Sequence, residues 1–296
     1  MERGNSDLEI ETKEKPEWKE YTVGVMGASS NKNTEAMTNG YEVGKMLGER
    51  GYDVANGGYA VGGMGETARG FQDICKKKNI AEDEAGEHFQ AVVLSEEAIG
   101  KKLAEKRTYI KPASVHEYDN FTSRSGGIIN RSDAVIALPG GIGTITESYA
   151  SAMGEWFRQL KAKDGEGRPY IRPLIVIDSK NTLVKQAALA EAESPGTINT
   201  ISDDTFVLAG HKLENGDIAT LANDPQMKKE LEMILEYYQL IKKGKNAIEG
   251  SSKDKERVEE IQEYINKDMN RFVSLKDIVE EKKDTFKQLG DDWGTK

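Results

Sequence analysis

Asp133-Ala-Val-Ile-Ala-Leu-Pro-Gly-Gly-Ile-Gly-Thr-Ile-Thr-Glu147 is the stretch on which the fold turns. Behind Asp133 it opens on apolar residues without polar alternation, the mark of a short strand buried on both faces. Pro139 and three glycines end that strand, and a helical pattern starts near Thr144. Upstream, the same order of strand, glycine-rich loop and helix recurs twice. Tyr21-Thr-Val-Gly-Val-Met-Gly27 runs into Ala28-Ser29-Ser30, then into a helix with Met37, Tyr41, Gly44, Leu47 and Gly48 on one stripe, stopped by Gly51. Tyr52-Asp-Val-Ala-Asn56 enters a loop from Gly57 to Gly65, and a helix follows to about Lys78. Phe89-Gln-Ala-Val-Val-Leu94, Leu174-Ile-Val-Ile-Asp178 and Thr205-Phe-Val-Leu208 read as further strands. Apolar strands alternating with helices give βαβ units and a parallel sheet, and right-handed crossovers make it doubly wound. The expected class is Rossmann-like α/β.

At 296 residues the chain allows one large domain or two small ones. Residues 1–20 hold 11 charged side chains and read as a mobile tail. Residues 21–215 carry the strands, and 216–296 read as a helical extension in which the strands stop near residue 224. There Met227, Leu231, Ile234, Leu235 and Tyr238 have helical spacing, as do Val258, Ile261, Ile265, Met269 and Phe272, and then Ile278, Val279, Phe286 and Leu289. Such stripes need cover: the core, a second copy or a partner protein. The charged stretch 76–88 reads as a surface excursion.

The net charge is −10, from 41 Lys and Arg against 51 Asp and Glu, which argues against broad nucleic-acid binding. One cysteine, Cys75, excludes an internal disulfide framework and a cysteine zinc site. His88, His116 and His211 show no close ligand spacing, so no metal is expected. No apolar run approaches the roughly 20 residues of a membrane span, and the N-terminus lacks a signal-peptide core. The expected compartment is the cytoplasm.

The chemistry concentrates in the loops. Glycines behind a central strand let backbone approach a ligand, and the helix beginning at Thr144 offers N–H groups and a positive dipole end to a phosphate. Gly27, Ser29, Gly57, Gly58, Gly62, Met64, Gly65, Gly140, Gly141, Gly143 and Thr144 are therefore the expected phosphate and substrate contacts. Glu147 lies one turn further at the same mouth of the sheet. None of the loops matches G-x-G-x-x-G or the P-loop, which removes support from dinucleotide and ATP-hydrolysis readings.

Pro139-Gly-Gly-Ile-Gly-Thr-Ile-Thr-Glu147 resembles the PGGxGTxxE signature of the LONELY GUY (LOG) family. These are cytokinin riboside 5′-monophosphate phosphoribohydrolases, often mislabelled lysine decarboxylases. The Gly57–Gly65 loop is similar to the family's GGGxxGLMG loop, and Gly27-Ala28-Ser29-Ser30 to its opening GSS. The resemblance places the catalytic Arg on Arg124, fifteen residues before Pro139, and the catalytic Glu on Glu147. Where the family often shows M-x-x-R-K, this chain has Phe121-Thr-Ser-Arg124-Ser125. Gly63 stands where Leu is usual, and Tyr59-Ala60 replace Gly-Ser.

The resemblance implies hydrolysis of a nucleoside 5′-monophosphate to free base and ribose 5-phosphate, without cofactor or metal, in a homodimer or higher oligomer. Cleavage puts positive charge on the ribose; Glu147 can stabilise it and orient water, while Arg124 can grip phosphate or assist the leaving base. Glu66 is a possible second acid, or else a helix N-terminal charge. Cys75 reads as a small hydrophobe, His116 as a substrate contact or a packing residue, and Trp156 with Phe157 as helix packing. A non-catalytic nucleotide or molybdenum-cofactor carrier of the same fold needs the phosphate loop but not the Arg124 and Glu147 pair.

Overall fold

The computed structural model describes residues 15–101, 110–112, 114–163, 171–179, 182–208, 213, 216–246 and 251–281. Its strands are β1 (Lys19–Met26), β2 (Tyr52–Asn56), β3 (Phe89–Leu94), β4 (Ser114–Tyr118), β5 (Ala134–Ala137), β6 (Leu174–Val176), β7 (Thr205–Leu208) and β8 (Phe272–Ser274). The helices are α1 (Thr34–Arg50), α2 (Gly62–Lys77), α3 (Glu82–Glu87), α4 (Glu96–Ile99), α5 (Phe121–Asn130), α6 (Ile142–Lys163), α7 (Thr182–Glu193), α8 (Pro225–Asn246) and α9 (Ser252–Lys267).

The strands form one sheet in the order β4-β3-β2-β1-β5-β6-β7-β8, parallel throughout except for antiparallel β8. This is the doubly wound, Rossmann-like arrangement expected. From β1 the chain winds outward through β2, β3 and β4, then returns to β5 on the other flank of β1. The order thus reverses between β1 and β5, which pair through Met26 and Ala137 at their carboxyl ends. Loops leaving that point diverge to opposite faces and open a crevice.

Alternation along each strand divides the core. Val23, Val25, Ala134 and Ile136 point to the face covered by α1, α2 and α8; Met26, Val135 and Ala137 point to that covered by α5, α6 and α7. Met227, Leu231, Ile234, Leu235 and Tyr238 all enter the first of these clusters. The stripe of α8 is therefore covered by the chain's own sheet, at about 1.5–3 kcal/mol for each large apolar side chain buried.

Four local expectations need correction. Strands do not stop at residue 224, because β8 closes the sheet beyond β7. Its anchor is Glu230 on α8, fully buried, whose carboxylate accepts the N–H groups of Asn270, Arg271 and Phe272 at 3.1, 2.8 and 2.9 Å. The heavy charge around this three-residue strand hid it. The second missed strand is β4, an edge strand without an apolar run, in which Val115 is 48% exposed. The stretch 76–88 is no mere surface excursion, since Ile80 and Ala85 are buried and α3 lies within it. Order also begins before Tyr21: the Trp18 ring stacks on His88 with centroids 3.8 Å apart, and His88 Nδ1 lies 2.7 Å from Asp53 Oδ1. Residues 1–14, His211, Phe286, Leu289 and the side chains of Trp156 and Phe157 lie outside the described residues.

Candidate active site

A cleft of about 480 Å³ opens at the carboxyl ends of β1 and β5. Gly27, Ala28, Ser29 and Ser30 form one wall, and Tyr59, Val61 and Met64 a second. Leu94, Ile99 and Phe121 make the remainder apolar, and Arg124, Gly141, Gly143, Thr144 and Glu147 complete the lining. Two roomier grooves, of about 680 and 800 Å³, border α8 and α9. No glycine-rich loop reaches either, and charges in the first already pair with one another, as Arg257 does with Glu236 at 2.8 Å.

Among the described residues, Arg124 and Glu147 are the charged ones on the cleft wall. They meet there, Nη1 to Oε1, at 3.5 Å, each side chain only 6% exposed. Asn120 starts α5 by accepting the Ser123 N–H at 2.9 Å, and one turn later the helix presents Arg124 inward. The guanidinium donates from Nε to the Val92 carbonyl of β3 at 3.0 Å and sits 5.9 Å from the Tyr59 ring centre. Glu147 enters from the second turn of α6 and accepts the Ser125 hydroxyl at 2.8 Å. Burial holds the Glu147 carboxyl above the ordinary carboxylate range, against the opposing pull of Ser125 and Arg124. Burial likewise brings Arg124 down, with Glu147 opposing. Neither charge is fully repaid by its surroundings, a condition typical of reactive sites.

The glycines divide into two groups. Gly27, Gly141 and Gly143 stand on the wall with Ser29, Met64 and Thr144. Gly57, Gly58, Gly62, Gly65 and Gly140 stand behind it. A Cβ on Gly57 would lie 2.1 Å from Arg124 Nη2 and 2.5 Å from Met64 Sδ, so its smallness makes room for the arginine. Gly62, at φ +59°, packs so closely that a Cβ would fall 1.9 Å from the Ala28 carbonyl. The N–H groups that open α2 are already used: Gly62 donates to Asn31 Oδ1 at 2.7 Å and Gly63 to the Ala28 carbonyl at 3.1 Å. At α6, by contrast, a Cβ on Gly141 would meet nothing within 4 Å, and the first turn holds no acidic side chain. The backbone at the start of α6 thus stands open to the cleft.

Asparagines missed in the sequence lock the loops together. Asn31 reaches Gly62; Asn33 caps α1 through the Ala36 N–H and donates to the Pro139 carbonyl at 3.4 Å. Buried Asn56 accepts from Gly58 N–H at 2.8 Å and donates to the Met64 carbonyl at 3.1 Å. Asparagine beside glycine at a strand end was the available signal. Ser125 was visible only as a departure from the family pattern.

Glu66 lies off the cleft wall and is bound by Arg69 Nε at 2.8 Å. His116, on β4, faces Arg131 at 3.0 Å and does not line the cleft. The Cys75 thiol is buried, which pushes its pKa up to about 12. Among the described residues no three His, Cys, Asp or Glu gather as a metal site, and no helix is long and apolar enough to cross a membrane.

Fold and cleft together define a Rossmann-like protein with a loop-built crevice at its switch point. More narrowly, residues 20–75 of the chain match the model of the SLOG cluster4 family. Two proteins of Oryza sativa subsp. japonica, named as probable cytokinin riboside 5′-monophosphate phosphoribohydrolases LOGL5 and LOGL9, are 34% and 32% identical to it over 125 residues. That region is 41% of this chain and 43% and 46% of those proteins, so the match spans less than half the length of either relative. Among solved structures, the molybdenum cofactor binding protein of Rippkaea orientalis superposes with a TM-score of 0.41 at 17% identity, covering 66% of this chain and 90% of that one. The molybdenum cofactor carrier protein of Chlamydomonas reinhardtii gives 0.39 at 18%, with the same coverage.

Proposed function

We propose that the cleft hydrolyses the N-glycosidic bond of a nucleoside 5′-monophosphate, releasing the base and ribose 5-phosphate. The observation that carries this reading is the buried Arg124 and Glu147 pair in one cleft with the open N-terminus of α6. The 5′-phosphate is taken by the α6 backbone from Gly141 to Thr144, with Ser29 on the facing loop. Phosphate binding at this end orients the sugar at the other, so that remote contacts lower the barrier. Glu147 faces the anomeric carbon, where positive charge develops as the bond to the base lengthens. Arg124, close to both Tyr59 and Glu147, assists the departing base or the sugar hydroxyls. The names of the rice relatives support a nucleotide substrate. Tyr59, Leu94, Ile99 and Phe121 supply an apolar end suited to a flat base.

The chain acts in this reading as a homodimer or higher oligomer, supported by exposed Phe121 and Met153 near the cleft helices; monomeric light scattering at micromolar concentration with full activity would remove that part. The deciding experiment offers purified protein a panel of nucleoside monophosphates and measures free base by chromatography. Base release that is lost in Arg124→Ala is the expected result. Tight nucleotide binding without any release would favour the non-catalytic carrier class.

A further inference from the structure

The Ser125 hydroxyl oxygen lies 2.9 Å from the Phe121 carbonyl of its own helix and 2.8 Å from Glu147 Oε1. A hydroxyl has one proton to give and lone pairs with which to accept. If Glu147 is ionised, both neighbours are acceptors, and only one of the two contacts can hold a proton. If Glu147 is protonated, its O–H donates to Ser125 Oγ, Ser125 donates to the Phe121 carbonyl, and both contacts are satisfied. No heavy atom needs to move between these states. We infer that Ser125 is a positioning residue that follows Glu147 through both protonation states, accepting from the protonated carboxyl in the resting cleft and donating to the carboxylate once its proton has passed to the departing base.

This inference rests on the hydrolase reading and supplies the acid that reading otherwise lacks. The anomeric carbon–nitrogen bond breaks with its electron pair moving to the base, and the Glu147 proton passes to a base nitrogen. The carboxylate so formed faces the ribosyl cation, and Ser125 turns its proton from Phe121 to Glu147. Water then adds its oxygen to the anomeric carbon and returns a proton to Glu147. The sum is nucleotide plus water to base plus ribose 5-phosphate, with the enzyme unchanged.

The surroundings favour a proton-holding carboxyl. Among the described residues Arg124 on α5 is the cation facing Glu147, at 3.5 Å, and behind it stands Tyr59 from the β2–α2 loop. The Val92 carbonyl of β3 takes the Arg124 Nε–H, and the Met64 thioether of α2 lies 3.7 Å from Nη2. Arg124 is thus divided among several partners and approaches Glu147 through Nη1 at 3.5 Å. Burial acts on the carboxyl in the same direction.

The test titrates Glu147 directly. Infrared difference spectra of free wild-type protein against Glu147→Gln, taken across pH, report the protonated carboxyl band. The band should persist above the ordinary carboxylate midpoint of about 4.3. In Ser125→Ala the ionised form loses its hydroxyl donor, so the midpoint should move upward; Ser125→Thr, which keeps the hydroxyl, should restore it. With AMP as probe, wild-type kcat/KM should fall as pH rises through the same midpoint. Ser125→Ala should shift that limb in step with the band and lower kcat at least about tenfold. A midpoint unmoved in Ser125→Ala, or a rate limb that ignores the band, overturns the inference. A band that moves as described, in a protein releasing no base from any nucleotide, overturns the hydrolase reading and the acid role with it, and leaves the Ser125 to Glu147 coupling established.

Discussion

Replacing Glu147 by Gln removes a titratable carboxyl while keeping shape, and the structure sets how stability and turnover should respond. In the ionised state the attraction to Arg124 at 3.5 Å is about 5 kcal/mol gross at an effective dielectric near 20. Against it stands the desolvation of the carboxylate, which is the larger effect, since the carboxyl is held above its ordinary range despite Arg124 and Ser125. The variant discards both. Stability should therefore change by less than about 1 kcal/mol, well short of the 3–5 kcal/mol typical of a broken buried pair. Turnover should fall about 10²-fold or more, as for loss of a preorganised electrostatic group.

The pH dependence has a definite sign. A carboxyl raised on folding binds its proton more tightly in the native state, so its stabilising contribution is full below the unfolded midpoint and is lost as pH rises through the raised one. Wild type should thus lose ground to Glu147→Gln over that interval. Base release and thermal midpoint measured on the same variant decide the matter. Wild-type turnover in Glu147→Gln would reduce Glu147 to an early-helix charge and refute the catalytic assignment.

Gly141→Val should weaken AMP binding at least about tenfold by calorimetry with an unchanged thermal midpoint, since its Cβ meets nothing within 4 Å and it intrudes only on the cleft. Gly57→Ala should displace Arg124 and Met64, lowering turnover and costing about 1–3 kcal/mol in chemical denaturation, although Gly57 itself stands behind the wall. Glu230→Ala leaves three N–H groups at the entry to β8 without their carboxylate and should cost about 3 kcal/mol or more in denaturation, with activity per folded molecule unchanged.

The parallel half of the sheet was legible because β1, β2, β3 and β5 are largely buried on both faces and written mostly in apolar residues. Strands β4 and β8 were not, for each lies at a sheet edge where side chains alternate with solvent or are held by polar contacts made elsewhere. Glu230 announces nothing in sequence about the N–H groups forty residues away that it binds. At the site, the family resemblance singled out Glu147 and Arg124, and the two side chains meet. Which glycines face the cleft was hidden. A glycine that admits a ligand and one that admits a neighbouring side chain read identically, and only the positions of Arg124 and Ala28 separate Gly57 and Gly62 from Gly141.

The pairing of β8 with β7 gives the chain a timing problem at the ribosome. Leu208 meets Phe272, so the edge strand Thr205-Phe-Val-Leu208 is made long before the strand that covers it. At about 5–20 residues per second, several seconds pass in which a bare, apolar strand edge is available to neighbouring nascent chains. Helix α8 emerges within that interval and already carries Glu230, the carboxylate that will seize the backbone at the entry to β8. The latch is thus synthesised ahead of the strand it fastens, and a chain released early, before residue 272, would leave this apolar edge open to intermolecular pairing.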